Sequence, residues 1–246
     1  MEIASESHKL AVNSRKDDWA KAACLLRLRD VGRRAPGSDK WLIQDVSLEV
    51  NAGDRIALVG SSGSGKSVLL RVLALLDGID AGTLEMQGKP AGEPSVPEHR
   101  RKVTYLHQRP ALFEGTVQFN FERPFCLKVS QNASYNRDRV LKLLRDVGRE
   151  ESFLQKRVSE LSGGEAQIMA LIRAVQLDPV MLLLDEATAA LDEETTEAAE
   201  RLVNGWLEQE NERAVVFVSH DEAQARRVAR RIIRIDAGRI REDAKE

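Results

Sequence analysis

Arg55-Ile-Ala-Leu-Val-Gly60-Ser-Ser-Gly-Ser-Gly-Lys-Ser67-Val68-Leu-Leu70 is the stretch that decides how this chain folds. Its first five residues form a short apolar run that stops at a glycine, the pattern of a buried strand. From Lys66 to Leu76 the residues Leu69, Leu70, Leu73 and Leu76 recur at helical spacing, which predicts a helix with one apolar face. Between them Gly60, Ser61, Ser62, Gly63, Ser64, Gly65, Lys66 and Ser67 spell glycine, four residues, then Gly-Lys-Ser, the spacing of a phosphate-binding loop. Glycines let the backbone wrap a polyphosphate with its N–H groups turned inward. The helix start, which includes Val68, adds partial positive charge. Lys66 brings a full charge to the outer phosphates of a nucleotide such as ATP, and Ser67 offers a hydroxyl to Mg²⁺. An unliganded Gly/Ser turn would not require this agreement of pattern and context.

Outward from this stretch, strands and helices alternate. Leu25 to Leu28 and Trp41 to Val50 read as two strands joined by a turn at Ala35-Pro36-Gly37-Ser38, an N-terminal antiparallel β-subdomain. Lys89 to Pro97 is rich in Pro and Gly and is expected as loop. Lys102 to Leu106 reads as a strand ending in His107-Gln108. Residues 109–176 read as an inserted helical subdomain, with helices over Asp138 to Val147 and Glu165 to Gln176. Strands at Val180 to Leu184 and Ala214 to Val218, helices at Glu193 to Glu208 and Asp221 to Arg230, and a strand pair near Ile232 and Ile240 complete an α/β fold with a mostly parallel core sheet. Residues 23–246 are expected to form one domain, preceded by a polar, flexible tail over 1–22.

Charge is nearly balanced, 37 Lys plus Arg against 39 Asp plus Glu, which argues against a nucleic-acid partner. Cys24 and Cys126 have no metal-ligand or disulfide-framework spacing and read as small apolar fillers. No run of about 18 apolar residues suggests a membrane span, and the first 21 residues lack a signal-peptide core. The expected location is cytoplasmic.

Two further patterns carry chemistry. Met181-Leu-Leu-Leu-Asp185-Glu186 is an apolar strand ending in two carboxylates. By itself such a pair is an ordinary helix start. Beside a phosphate loop, Asp185 is placed to hold Mg²⁺ and Glu186 to activate or orient water. Leu161-Ser162-Gly163-Gly164-Glu165 heads a helix and forms a second anion-binding helix start. One nucleotide does not need two cradles, but two copies arranged head to tail do.

The chain from 24 to 241 resembles the ABC ATPase family, whose signature sequence Leu161 to Glu165 matches. The resemblance implies further roles. Gln108 matches the glutamine that contacts Mg²⁺ or the attacking water and links the core to the helical lobe. Ala190-Leu191-Asp192 matches the loop that crosses the dimer interface, and His220 the histidine that reaches the γ-phosphate. The implied catalytic set is Glu186, His220, Lys66 and Gln108, with Ser67, Gln108 and Asp185 on Mg²⁺. The implied assembly is a homodimer closed by ATP. The segment Gln108 to Val117, with Asn120 beyond, resembles the exporter form of the family. Leu112 and Phe113 would then dock a membrane-spanning permease and hold the chain at the inner face of the cell membrane. The stand-alone ATPase subunits of iron-export and aluminium-tolerance transporters are the most similar, implying export of a metal ion such as iron. The rival is a soluble ABC ATPase of DNA repair or translation, which usually has tandem cassettes, a long coiled coil or basic arms.

Two positions depart from the family pattern. Its adenine-stacking aromatic falls at Ala35, so Arg33, Arg34 or Trp41 must replace the ring or base binding is weakened. Ile168 stands where many relatives carry arginine, which removes one contact expected on the phosphate or interface side.

Overall fold

A computed structural model describes residues 23–189, 191–219 and 222–245. The expected tail over 1–22, Ala190 of the interface loop and His220 lie outside these residues.

The strands assemble into two sheets. β1 (Cys24–Arg34), β2 (Trp41–Asn51), β4 (Ala81–Met86) and β5 (Lys89–Pro90) take the order β2-β1-β4-β5, with every neighbouring pair antiparallel. β3 (Arg55–Val59), β6 (Val103–Leu106), β7 (Met181–Asp185), β8 (Ala214–Val218), β9 (Arg231–Asp236) and β10 (Arg239–Lys245) take the order β10-β9-β3-β8-β7-β6. All pairs in this second sheet are parallel except β9 with β10. The expected α/β class, with an antiparallel N-terminal sheet beside a mostly parallel core, is what the chain forms. Parallel strands share one direction, so β3, β6, β7 and β8 deliver their C-terminal ends to one edge, where open α/β sheets bind ligands.

The helices are α1 (Lys66–Leu73), α2 (Val96–Lys102), α3 (Val117–Glu122), α4 (Arg137–Asp146), α5 (Gly163–Val175), α6 (Glu193–Gln209) and α7 (Glu222–Val228). Side-chain caps start five of them: Ser95, Thr116, Asn136, Ser162 and Asp192 each accept a bond from a backbone N–H three residues on. No helix among the described residues is long and apolar enough to cross a membrane.

One core fills the space between the two sheets and α1. Leu26, Val31, Ile43, Val50, Ile56, Leu58, Leu69, Leu70 and Leu73 are all buried there. A second core joins α3, α4 and α5 to the far face of β7 and β8, through Phe121, Leu144, Leu154, Ile172, Leu182 and Val215. Trp206 of α6 is enclosed in it.

Three local expectations change. Lys89 to Pro97 is not all loop: Lys89 and Pro90 pair with β4, and α2 begins at Val96. The α1 stripe ends at Leu73, because Leu75 adopts a left-handed φ of 55° and turns Leu76 outward. β4 goes unforeseen because its Ala-Gly-Thr opening reads as a turn. It forms because β1 offers it an antiparallel edge.

Candidate active site

The phosphate loop leaves β3 and enters α1 against a wall of backbone. Gly60 has φ 150°, and a Cβ there would lie 2.1 Å from the carbonyl oxygen of Ile235 on β9. Gly65 caps α1 at φ 107°, and its Cβ would meet Leu42 O and Ile43 Cγ2, each at 2.8 Å. Only glycine fits at either position. Ser61, Ser62 and Gly63 are exposed at the mouth of the loop, Ser64 is buried beneath it, and Val68 packs against the first core. Lys66 is 5% exposed and donates to Gly60 O at 2.7 Å and Ser61 O at 2.8 Å. Burial pushes its ammonium below the ordinary lysine value, with the Glu186 and Asp185 carboxylates opposing that shift.

The acid pair stands beside this loop because β7 is separated from β3 by β8 alone. Ser67 Oγ donates to Asp185 Oδ1 at 3.0 Å, and Tyr105 Oη donates to Asp185 Oδ2 at 2.7 Å. Burial, then the bond to Asp185, push the Tyr105 phenol well above the ordinary tyrosine range. Gln108 Nε2 donates to Glu186 Oε2 at 2.9 Å. Glu186 has a left-handed φ of 51°, uncommon for a residue with a side chain, and its N–H donates to Val218 O at 3.2 Å. This turn swings the glutamate off the strand axis. A cleft of about 400 Å³ opens beside it, lined by Thr188, Leu191, Ser219, Gln224 and Arg227 among others. Lys66, Ser67, Gln108, Asp185 and Glu186 are thus brought together.

The second glycine motif is elsewhere. No hydrogen bond or ion pair joins Leu161, Ser162, Gly163, Gly164 or Glu165 to the phosphate loop among the described residues. Ser162 and Glu165 form a capping box: Ser162 Oγ accepts from Glu165 N at 3.2 Å, and Glu165 Oε2 accepts from Ser162 N at 3.0 Å. Lys156 clasps the other glutamate oxygen at 2.7 Å, and this bond leads the causes that hold Glu165 below the usual carboxylate range. Ser162 acts here as an acceptor, so its O–H remains a donor. Ile168 is 1% exposed and packs in the core, so an arginine there would have no route to a phosphate within this chain. Asp192 caps α6 by accepting from Thr195 N at 2.8 Å, a structural task that coexists with any interface role.

Near Ala35 the missing ring has a neighbour. The Arg34 guanidinium lies over Trp41, 4.5 Å from the ring centroid, and contacts Asp39 at 3.2 Å. Trp41 in turn covers Gly32, and the next residue, Leu42, backs the phosphate loop.

Leu112 and Phe113 part company. Leu112 packs against the second core, whereas Phe113 is 49% exposed. Asn120, fully buried, builds the turn that presents Phe113: it accepts from Phe113 N at 2.9 Å and donates to Phe113 O at 2.9 Å and Thr116 O at 3.0 Å. Arg173 of α5 braces the same turn through Asn120 Oδ1 and Ala111 O. Of these supports, only Asn120 is marked in the sequence, by its place after Gly-Thr-Val. Arg173 and Tyr105 carry no motif.

A strand–glycine loop–helix with an acid pair on a parallel strand one place removed in the same sheet defines a phosphate-loop NTPase. Residues 43–189 match the family model described as ABC transporter. Over 198 residues the chain is 34% identical to the probable iron export ATP-binding protein FetA of Escherichia coli K12, covering 80% of this chain and 85% of that one. Over 207 residues it is 39% identical to the sulfate/thiosulfate import ATP-binding protein CysA of Bordetella parapertussis, covering 80% of this chain and 56% of CysA. The chain therefore spans a little over half the length of its CysA relative. The dimeric structure of a bacterial ABC transporter cassette superposes with a TM-score of 0.80 at 27% identity, over 90% of this chain and 98% of the cassette. The same cassette in a post-hydrolysis dimer with ADP and Pi gives 0.76, also at 27% identity and with the same coverage. This chain belongs to the ABC transporter family; it is an ATP-binding subunit and an ATPase.

Proposed function

We propose that two copies of this chain enclose two ATP molecules head to tail and so drive export through a separate membrane-spanning subunit. The observation that carries the chemistry is the Asp185 carboxylate hydrogen-bonded to Ser67, with Glu186 held beside it by Gln108. In this reading Lys66 exchanges its two loop carbonyls for the outer phosphates. Glu186 accepts a hydrogen bond from the attacking water and takes its proton as the new P–O bond forms and the bond to ADP breaks. Ser162, Gly163 and Gly164 of the partner copy close over the γ-phosphate, and His220 is assigned to it by the family resemblance alone. Ser67 and Asp185 meet through oxygens, and the Gln108 amide carries an oxygen besides the nitrogen that binds Glu186, a set that fits a hard ion such as Mg²⁺ held mainly by phosphates. Ser67, Asp185 and Gln108 are the residues that would hold it; when bound, it offsets charge on the bridging and terminal phosphate oxygens.

The base needs a platform. Arg34, stacked on Trp41, supplies a flat cationic plane next to Ala35, where stacking is worth about 1–3 kcal/mol. Arg34→Ala is therefore expected to weaken ATP binding by about 5- to 150-fold while leaving competition by tripolyphosphate unchanged. An equal loss for both ligands would show that Arg34 serves the loop rather than the base.

Phe113, with exposed Phe119 and Leu127, supplies the surface for the permease. Similarity to FetA supports an exporter at the inner face of the membrane with a metal ion such as iron as cargo, whereas CysA is named for import. The test is affinity purification of tagged Glu186→Gln from gently solubilised membranes with ATP and Mg²⁺. A multi-span protein is expected, and it should be lost when Phe113→Glu is added. Recovery only of soluble proteins or nucleic acid would replace the transporter reading with the DNA-repair or translation one.

A further inference from the structure

Both oxygens of Asp185 are occupied, and by two different hydroxyls. Ser67 donates to one at 3.0 Å and Tyr105 to the other at 2.7 Å, around a carboxylate only 4% exposed. Bulk water cannot replace either bond at that depth. Tyr105 comes from β6, which runs parallel to β7 with Tyr105 opposite Leu183 and Leu106 opposite Leu184. Its ring packs against the first core and stands edge-on to His107. Three residues on, Gln108 holds Glu186. β6 and the turn just beyond it therefore hold two consecutive carboxylates, through Tyr105 on the strand and Gln108 two residues past its end.

The two hydroxyls have different prospects when a nucleotide arrives. Ser67 sits on the phosphate loop and has lone pairs to give to a cation while its proton stays on Asp185. Tyr105 is on a strand and, among the described contacts, points only at the carboxylate. An aspartate's terminal torsion is broad and roughly two-fold, so a carboxylate held at one oxygen still swings. A second bond at the other oxygen removes that freedom.

We propose that Tyr105 is a positioning residue: its hydroxyl fixes Oδ2 of Asp185 so that Oδ1 stays turned to Ser67 and the cation that accompanies the nucleotide. This rests on the reading of the site given above. Were the phenol only satisfying a buried acid, its loss would lower stability and change nothing specific to the cation.

Tyr105→Phe removes one oxygen and keeps the ring. Binding of a fluorescent ATP analogue is measured with excess chelator and then across a Mg²⁺ titration. The Mg²⁺-free affinity should stay within about twofold of wild type, while the Mg²⁺ midpoint rises about tenfold, as for one lost hydrogen bond. An unchanged midpoint, or an equal loss with and without Mg²⁺, overturns the proposal. If wild type shows no Mg²⁺-dependent binding at all, the phosphate-and-cation reading fails and this inference falls with it. A second measurement does not depend on Tyr105→Phe folding. The chain has two tyrosines, and the Tyr135 hydroxyl is buried without a hydrogen-bond partner among the described residues. Tyr135→Phe thus leaves Tyr105 alone to report its hydrogen bonding in the tyrosine Raman doublet. It should remain a strong donor before and after Mg²⁺ and ATP are added; loss of donation on binding would overturn the proposal.

Discussion

Glu186→Gln is expected to cut ATP turnover by about 10²- to 10⁴-fold, the range for removal of a general base, and to leave an ATP-bound dimer. The substitution is nearly isosteric. The new amide oxygen can still accept from Gln108 Nε2, so the 2.9 Å bond that orients the side chain survives. The left-handed turn at residue 186 and its bond to Val218 belong to the backbone and are likewise retained. What disappears is the capacity to take a proton from water. Because Asp185 and the phosphate loop are untouched, ATP should still bind and, on the proposed reading, still bridge two copies. Phosphate release and light scattering with ATP are the measurements. A monomer in ATP, or turnover close to wild type, would remove Glu186 from the role assigned to it.

A comparably large effect is expected from mixing two inactive variants. Gly163→Asp has room, because a Cβ at Gly163 would meet nothing within 4 Å. An acidic residue in the first turn of α5 also suits the helix dipole. The fold should therefore be unharmed, yet the carboxylate would face the γ-phosphate held by a partner. Lys66→Ala has the opposite defect: its signature is intact, but a charge-assisted contact worth about 1.5–3 kcal/mol is gone. Each variant alone should be inactive. A head-to-tail dimer of one with the other rebuilds one complete site, from the loop of the first and the Ser162–Gly164 segment of the second. At equal mixing about half the dimers are mixed, with one good site of two, so turnover returns to at most about a quarter of wild type. If the mixture stays as dead as its parts, while light scattering shows mixed dimers, the shared site is wrong.

The separation between the two glycine motifs was legible in the sequence, because each is a local demand. A loop that needs φ 150° at Gly60 and φ 107° at Gly65 announces itself in glycines, and a capping box in Ser162 and Glu165. Asp185 and Glu186 were legible for the same reason, as the polar end of an apolar strand. The missing ring at Ala35 was visible too, but which of Arg33, Arg34 and Trp41 would take its place was not. The proposal of Arg34 depends on the antiparallel register that sets it opposite Trp41.

The succession of strand, loop and helix, the residues expected to touch phosphate, and the family could all be read from the sequence. These follow from backbone geometry and from spacing along a few consecutive residues. Tertiary structure alone decided which distant side chains meet. Tyr105 reaches Asp185 across 80 positions, Gln108 reaches Glu186 across 78, and Arg173 reaches Asn120 across 53. It also decided that Leu112 turns inward while Phe113 turns out. The physical reason is register: β6 and β7 could slide past each other without altering any local preference. Only packing against the cores, which buries Leu106 and Leu184 together, holds the pairing that brings tyrosine and aspartate into contact.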